Sequence, residues 1–177
     1  MTQSNVAVQE HVGAILFTDL VGFTEFTDGV GDVEALGVLE AQREIVEGVL
    51  EDVSGARVVK ELGDGLMIWF PSATEGLQSA AEVMNLIEDE RAAGGFPLAV
   101  RMGMHYGNAL ARGDDLVGQS VNVAARVSDL AGPGELLVSE ELVGAFAGDL
   151  IDFEMHPVGP VRVRGVQTPI WLHRLSF

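Results

Sequence analysis

The chain has 177 residues, of which 47% are apolar, so it can bury the core of one compact domain. Its formal net charge of −17 argues against nucleic acid or an anionic membrane as a general partner, because both are bound by neutralising phosphate. The sequence has no cysteine, which excludes disulfides and thiolate metal sites and is compatible with a reducing compartment.

The N-terminal segment, residues 1–11, lacks the basic start and apolar middle of a signal peptide, so we expect a short flexible leader. One folded domain then covers residues 12–177. The longest apolar runs, such as "GAILF", are too short to cross a bilayer. We therefore expect no direct membrane insertion and a cytoplasmic location, either alone or within a longer protein.

The first predicted element is an apolar strand from Val12 to Leu20, which ends on the carboxylate of Asp19. A polar turn with Gly22 follows. Apolar residues then recur at helical spacing from Asp32 to Val53, and Gly55 ends that helix. Two short apolar runs, "RVVKEL" and "GLMIWF", are joined by "GD", which predicts a hairpin of two strands.

A capping box at Ser72 and Glu75 predicts the start of a second helix, which ends at Ala93 before two glycines. The remaining predicted elements are a strand in "PLAVRMGMHYG" with "NALAR" as its hairpin partner, a loop "GDDLVG", a helix in "SVNVAARVSDLA", strands in "ELLVS", "VRVRGV" and "PIWLHRL", and a short helix from Glu140. The order strand–helix–strand–strand–helix–strand predicts an α+β fold with a ferredoxin-like split βαβ core (βαββαβ). C-terminal strand and helix additions follow, and the helices pack on one face of an antiparallel sheet.

Two carboxylates are expected to meet at one edge of this sheet. Asp19 ends the first strand, and Asp64 lies in the hairpin before the third strand. Because the first and third strands are neighbours in a split βαβ sheet, the two side chains would repel each other unless a cation lies between them. Oxygen ligands without cysteine or histidine favour Mg²⁺ or Mn²⁺. Gly22 would let backbone N–H groups approach phosphate oxygens.

The helix in "SVNVAARVSDLA" has Asn122 and Arg126 one turn apart on the same face. An asparagine and an arginine directed at one point could hold a sugar and neutralise a phosphate, because the planar guanidinium donates to two oxygens at once. A solvated helix face is the simpler interpretation of this pair alone.

Lys60 and Asp115 are a second pair of residues that could bind part of a ligand, and Lys60 is the only lysine in the chain. Adenine presents an amino donor at N6 beside an acceptor at N1. A carboxylate facing N6 and an ammonium facing N1 would bind that edge, whereas guanine reverses the pattern. Taken singly, each residue is more simply a solvent-exposed charge.

Four segments together resemble the catalytic domain of class III nucleotidyl cyclases. They are "FTDLVGFT", "KELGDGLM", "DLVGQSVNVAAR" and "VRVRGVQTPIWLHRL", in the order and close to the spacing found in that family. The resemblance covers residues 12–175, almost the whole chain.

The resemblance implies a role for each matching residue. Asp19 and Asp64 match the two metal-binding aspartates, with the carbonyl of Leu20 as an additional ligand. Site residues at the other matching positions are as follows: Gly22, Phe23 and Thr24 at the phosphate-contacting turn, Lys60 and Asp115 at the adenine-selecting pair, Asn122 at the ribose-orienting position, Arg126 at the position that stabilises the transition state, and Arg164 where the family commonly has a lysine for the terminal phosphates. At that last position the charge is kept, while the geometry differs.

The family resemblance implies an adenylyl cyclase that converts ATP to 3′,5′-cyclic AMP and pyrophosphate with two Mg²⁺ or Mn²⁺ ions. It also implies a head-to-tail homodimer, because one subunit supplies the metal carboxylates of a site and the other supplies the base, ribose and arginine groups. The alternatives are a guanylyl cyclase, a non-catalytic nucleotide-binding or dimerisation module of the same fold, and a diguanylate cyclase or polymerase-like palm domain. The pattern G-x-x-x-x-G-K-[ST] is absent, so a Walker-type NTPase is unsupported.

Overall fold

The computed structural model describes residues 9–148 and 153–176. Within these ranges the chain forms eight strands and five helices. In chain order they are β1 (Gln9–Leu20), α1 (Phe23–Val30), α2 (Asp32–Leu50), β2 (Arg57–Leu62), β3 (Gly65–Phe70), α3 (Ala73–Ala93), β4 (Val100–Arg112), β5 (Asp115–Val117), α4 (Gln119–Leu130), β6 (Leu136–Ser139), α5 (Glu140–Ala145), β7 (Glu154–Val161) and β8 (Ile170–Ser176).

The strands form one sheet in the order β2-β3-β1-β4-β6-β8-β7, with β5 paired to the far end of β4. All neighbouring pairs are antiparallel except β4 and β6. Strand β1 lies between β3 and β4, so its end is central in the sheet. The predicted split βαβ core with C-terminal additions is therefore confirmed.

The two faces of the sheet are covered by different helices. One face carries Ala14, Leu16 and the inward residues of α2, α3 and α5 in a single apolar cluster. Ile15 and Phe17 point to the opposite face, where they pack against α4. This alternation along β1 is the two-residue period of a strand buried on both sides. The sequence analysis expected helices on one face only, and α4 departs from that expectation.

The predicted helices α2 and α3 and the β2–β3 hairpin are confirmed. The hydroxyl of Ser72 accepts a hydrogen bond from the backbone N–H of Glu75 at 3.3 Å, and Gly94 ends α3 with a left-handed φ of 81°. Helix α2 ends at Leu50, three residues before the predicted end. Its residue Leu36 has the helical spacing of the apolar face but is 55% exposed, and it borders a cavity that Asp64 also lines.

Four element predictions need correction. The "NALAR" segment continues β4 instead of turning back, and the hairpin partner is β5, within the segment predicted as a loop. Strand β7 ends at Val161, so most of "VRVRGV" lies after it. Residues 23–30 form helix α1 rather than a polar turn, and β1 begins at Gln9 rather than Val12. For β5 and β7 the apolar pattern is too short to show which strand the segment would pair with.

Helices cover both faces of the central residues of β1. This packing fixes the position of the C-terminal end of β1. Among the described residues, none of the helices combines the length and the hydropathy that a membrane crossing requires.

Candidate active site

Asp19, at the end of β1, and Asp64, in the turn before β3, lie at the same end of two neighbouring strands. The register of β1 and β3 pairs Thr18 with Leu66, so the turn that contains Asp64 adjoins the end of β1. A Cβ atom at Gly65 would lie only 2.3 Å from the carbonyl oxygen of Thr18. Glycine is therefore required where the two strands approach each other, and that approach brings the two aspartates together.

The environment of Asp64 reflects this proximity. Its pKa is raised, first because the carboxyl group is partly buried and second because the carboxylate of Asp19 is near. The backbone N–H groups of Asp64 and Leu20 and the guanidinium of Arg101 oppose the rise. A pair of neighbouring carboxylates is a suitable donor set for a hard divalent cation.

The side chains that could bind a cation here are few, and their ligand atoms are oxygens. No three histidine, aspartate or glutamate side chains converge on one point in residues 9–148 and 153–176. A cation held by Asp19 and Asp64 would therefore need further oxygen ligands, from a backbone carbonyl, water or a bound phosphate. This is the usual arrangement for Mg²⁺, which is bound through one or two carboxylates plus substrate phosphates. The residues present fit such an ion.

Arg101 is a neighbour of this site that the sequence analysis missed. It pairs with Asp19 across β1 and β4, and its Nε atom donates to Oδ2 of Asp19 at 2.6 Å. Its Nη1 atom lies 3.5 Å from the carbonyl oxygen of Asp129 at the end of α4. An isolated arginine at the start of an apolar strand, "VRMGM", is the only signal in the sequence that points to it.

A buried hydrogen-bonded group joins β1, β3 and α2 next to the two aspartates. The Oγ1 atom of Thr18 accepts hydrogen bonds from Nε2 of Gln42 at 2.9 Å and from the backbone N–H of Leu66 at 3.1 Å. Gln42 is 1% exposed and Thr18 is 3% exposed. Thr18 is one position from Asp19 and Leu66 is two positions from Asp64, so the hydrogen bond between them ties together the strand ends that hold the two aspartates.

The turn after β1 is built on Gly22, which has a left-handed φ of 77° and precedes the first residue of α1. Helix α1 begins at Phe23, followed by Thr24. The first backbone N–H groups of this short helix have no intrahelical partner and lie close in sequence to Asp19. The predicted glycine turn is thus present, and it leads directly into the helix start.

Lys60 and Asp115 contact each other within one chain. The Nζ atom of Lys60 is 2.8 Å from Oδ1 and 3.0 Å from Oδ2 of Asp115. A hydrogen bond from Nη1 of Arg57 to the carbonyl oxygen of Asp114, at 2.9 Å, also ties β2 to the β4–β5 hairpin. The ammonium of Lys60 lowers the pKa of Asp115, mainly through the side-chain hydrogen bond. The two residues that the sequence analysis paired are therefore adjacent.

Asn122, Arg126 and Arg164 line one cavity of about 520 Å³. Asn122 and Arg126 are exposed on α4, whose opposite side buries Val123 and Val127. Arg126 contacts Asp129, its neighbour one turn later, at 2.9 Å. Arg164 reaches this cavity from the segment after β7. The structure thus brings together three residues that are separated by up to 42 positions (164 − 122) in the sequence.

The chain matches the profile of the family described as the adenylate and guanylate cyclase catalytic domain over residues 6–175. Among curated proteins it is similar to the pH-sensitive adenylate cyclase MT1302 of Mycobacterium tuberculosis, with 31% identity over 165 residues, which are 91% of this chain and 40% of that protein. It is also similar to an adenylate cyclase of Streptomyces coelicolor, with 33% identity over 138 residues, covering 78% of this chain and 34% of that protein. The chain therefore spans two fifths or less of the length of these relatives.

Solved structures share the fold. The adenylyl cyclase CyaB of P. aeruginosa has a TM-score of 0.82 at 20% identity, with 97% of both chains covered. The catalytic core of a rhodopsin-guanylyl cyclase with converted specificity, in complex with ATPalphaS, has a TM-score of 0.85 at 19% identity, with 97% of this chain and 98% of that chain covered. Because the family profile matches residues 6–175, nearly the whole chain, this chain belongs to the adenylate and guanylate cyclase catalytic-domain family.

Proposed function

We propose that this domain is an adenylyl cyclase that converts ATP to 3′,5′-cyclic AMP and pyrophosphate. Membership of the cyclase family and two relatives named adenylate cyclase support this reaction class. The single observation that favours it most is the approach of Asp19 and Asp64 at the end of β1, where the register pairs Thr18 with Leu66 and the charge of Asp19 adds to burial in raising the pKa of Asp64. Because the chain covers only part of its relatives, the activity is inferred from the domain alone.

In the proposed site, Asp19, Asp64 and the carbonyl of Leu20 hold two Mg²⁺ or Mn²⁺ ions. These cations, when bound, lower the pKa of the ribose 3′-hydroxyl and offset negative charge on the phosphates. The oxygen-only donor set and the partial burial of Asp64 support this assignment. Gly22, Phe23 and Thr24 offer the backbone N–H groups at the start of α1 to phosphate oxygens.

The reaction forms a bond between the ribose 3′-oxygen and the α-phosphorus and breaks the bond from that phosphorus to the β-phosphate oxygen. Pyrophosphate leaves, and the hydroxyl proton passes to solvent. Asn122 orients the ribose so that the reacting atoms start near contact distance. Arg126 stabilises the charge that grows on the α-phosphoryl oxygens, and Arg164 binds the terminal phosphates. The cavity shared by these three residues supports their joint action on one nucleotide.

Selection of adenine is assigned to Lys60 and Asp115. Their contact at 2.8 Å puts a donor and an acceptor side by side, which is the pattern needed for N1 and N6 of adenine. Guanine has an acceptor, O6, where adenine has the N6 donor, and a donor, N1–H, where adenine has the N1 acceptor. The carboxylate would then face O6 and the ammonium would face N1–H, and neither contact is a hydrogen bond. The second candidate function is a guanylyl cyclase, because the family profile covers both activities. The lysine–aspartate pair favours ATP over that alternative.

The proposed assembly is a head-to-tail homodimer with two equivalent sites. One chain supplies Asp19 and Asp64 to a site, and its partner supplies Lys60, Asp115, Asn122, Arg126 and Arg164. The presence of both sets in one chain supports this arrangement, because each protomer can then complete the site of the other.

The deciding experiment incubates the purified chain with ATP or GTP and with Mg²⁺ or Mn²⁺, and identifies the product by mass spectrometry. Cyclic AMP from ATP, absent in the Asp64→Asn variant, is the expected result. Cyclic GMP as the main product would favour the second candidate. A folded wild-type dimer that forms neither product would indicate the non-catalytic module.

A further inference from the structure

A cavity of about 350 Å³ lies between the first half of α2 and the β2–β3 hairpin. The apolar side chains of Leu36, Leu39 and Leu66 border it, and so does Asp64 in the hairpin turn. Leu36 is 55% exposed, so part of this apolar wall is open to a ligand from solvent. Small-molecule sites in proteins usually have volumes of about 300 to 1,000 Å³, and this cavity falls within that range.

The cavity lies on the opposite face of the sheet from the adenine-selecting pair. The register pairs Glu61 with Leu66 and Lys60 with Met67. Leu66 packs in the apolar cluster that includes α2, whereas Met67 packs in the cluster that includes α4. Because residues paired across two strands point to the same face, Glu61 lies on the α2 side and Lys60 on the α4 side. Asp64 is therefore the residue through which the cavity meets the proposed active site.

A buried amide group reaches this cavity. Gln42 is 1% exposed, borders the cavity and donates through Nε2 to Thr18. Its Oε1 atom accepts no hydrogen bond from any residue in 9–148 or 153–176. In those ranges the single fully buried side-chain atom without a partner is Oε1 of Glu88, so Oε1 of Gln42 keeps contact with the cavity. A ligand that donates an N–H group there would satisfy this acceptor.

The charges around the cavity favour a cation. Three carboxylates border it, those of Glu40, Glu61 and Asp64, against one guanidinium, that of Arg43. The guanidinium already contacts Glu61 and Glu47. Glu40 makes no salt bridge or hydrogen bond within the described parts of the chain, so its charge is not neutralised by the protein there. An apolar wall beside unneutralised carboxylates is complementary to an amphipathic cation.

We propose that this cavity is a binding site for a small organic cation with an apolar body, of the arylalkylamine class. The apolar body packs against the three leucines, the ammonium donates to Oε1 of Gln42, and the carboxylate of Glu40 attracts it. Because Asp64 borders the cavity, the bound ammonium competes electrostatically with a divalent cation for that carboxylate. The occupant is therefore an inhibitor, and this effect on turnover rests on the proposed function, whereas the binding does not.

The probe for binding is 2-phenylethylamine, whose amine is protonated at neutral pH like that of lysine. Its neutral analogue 2-phenylethanol and the anion phenylacetate are titrated in parallel. NMR titration of the full chain, without nucleotide or metal, gives each dissociation constant and the backbone amides that shift. We expect the amine to bind more tightly than the alcohol and the alcohol more tightly than the acid, with the largest shifts in residues 36–43 and 61–66. Binding of phenylacetate as tight as that of the amine, or no saturable binding of the amine, would overturn the site.

Glu40→Gln and the matched control Glu44→Gln test the charge. Both residues are exposed on α2, and each change moves the net charge from −17 to −16, but Glu44 does not border the cavity. We expect Glu40→Gln to weaken amine binding about twofold to fivefold, the scale of an exposed ion pair, and to leave binding of the alcohol unchanged. Leu36→Gln should weaken binding of both compounds. Equal amine affinity in Glu40→Gln and Glu44→Gln would contradict the proposed contact.

Direct binding of the amine to the metal carboxylates is a distinct outcome. Asp19 does not border the cavity, so Asp19→Asn should leave the amine affinity close to that of the wild type. A larger loss in Asp19→Asn than in Glu40→Gln would overturn the cavity as the site.

Turnover assays then test the coupling to Asp64. The amine should raise the Mg²⁺ concentration needed for half-maximal activity in the wild type and have less effect in Leu36→Gln. An unchanged Mg²⁺ requirement at saturating amine would refute the coupling. A chain that binds the amine in the cavity but forms no cyclic nucleotide would refute the proposed reaction and leave the binding site standing.

Discussion

Arg101 and Asp19 form an asymmetric ion pair in which Nε and Nη2 of the arginine contact the same carboxylate oxygen, Oδ2, at 2.6 and 2.5 Å. The two residues face each other across β1 and β4, so the strand register sets the contact. The other carboxylate oxygen takes no part in this pair. One oxygen of Asp19 is thus held by Arg101, while no residue in 9–148 or 153–176 donates a hydrogen bond to the other.

This geometry predicts that Arg101 competes electrostatically with a divalent cation. Replacing it with methionine should tighten Mn²⁺ binding to the nucleotide-free chain by a few fold, because a positive charge is removed from beside the carboxylates, and about 1 kcal/mol is the scale of such a partly exposed contact. Titration calorimetry with Mn²⁺ measures the change. Arg101→Lys retains the charge and should bind Mn²⁺ like the wild type. Weaker binding in Arg101→Met would show instead that the arginine is needed to orient Asp19.

A site shared between subunits predicts complementation. Asp19→Ala should abolish turnover, and Arg126→Ala should lower kcat by about 10²- to 10³-fold, the scale of one lost electrostatic stabiliser. In a mixture of the two variants, each mixed dimer has one complete site, so random exchange should restore about a quarter of wild-type activity (half of the dimers, with one site in two).

Cyclic AMP formation is measured after mixing, with differently tagged chains to confirm that mixed dimers form. Two copies of the same variant, mixed in the same way, are the control. Mixed dimers that stay as inactive as the separate variants would exclude a site built from both subunits.

The contact between Lys60 and Asp115 predicts where nucleotide preference can be changed. Exchanging Lys60 for glutamate and Asp115 for glycine should shift the ratio of kcat/KM for ATP and GTP by about tenfold or more toward GTP, because the new carboxylate accepts from guanine N1–H and no longer matches adenine N1. Parallel assays with both nucleotides measure the ratio. Arg57→Gln, which removes a neighbouring contact of the same hairpin, should leave the ratio unchanged. A lower rate with an unchanged ratio would contradict the role in base selection.

The buried group of Thr18, Gln42 and Leu66 predicts a non-additive effect on stability. Thr18→Val removes the acceptor of two buried donors and should lower the free energy of unfolding by about 2 kcal/mol, since each unsatisfied donor costs about 1 to 3 kcal/mol. Adding Gln42→Leu removes one of those donors, so the double variant should lose less stability than the sum of the two single variants. Urea unfolding of all four proteins measures the coupling. Additive losses would mean that the hydrogen bond from Gln42 contributes nothing.

The buried histidine of β4 predicts a pH dependence of stability. Burial lowers the pKa of His105 below its ordinary 6.5, against the opposing effect of Glu141, and Nδ1 lies 2.8 Å from the hydroxyl of Ser139. Below pH 6.5 the unfolded chain therefore binds a proton that the folded chain resists. The free energy of unfolding should fall as the pH drops below 6.5, by up to about 1.4 kcal/mol per pH unit, and the fall should stop below the lowered pKa.

Urea unfolding of the wild type and His105→Gln across pH 5 to 8 isolates this contribution, because other titrating groups are common to both proteins. The wild type should lose more stability than the variant between pH 6.5 and 5.5. Parallel pH profiles would show that His105 titrates alike in the folded and unfolded chains.

Sequence reasoning proposed those residues of the candidate site that depend on local pattern. Asp19 at a strand end, Asp64 in a two-residue hairpin and the Asn122–Arg126 spacing are each visible within a few residues. Arg101 was missed because its importance depends on which residue faces it across the sheet. Gln42 was missed because one polar residue on an amphipathic helix is indistinguishable from a surface residue until the helix is packed.

The sequence by itself determined the order of elements, the split βαβ core and the four family segments, because local periodicity and turn residues act over short distances along the chain. Only the tertiary structure decided that α4 covers the opposite face, that "NALAR" extends β4, and that Arg101 faces Asp19. Those outcomes depend on the competition between distant segments for the same partners, and the pairing register, not the local pattern, resolves that competition.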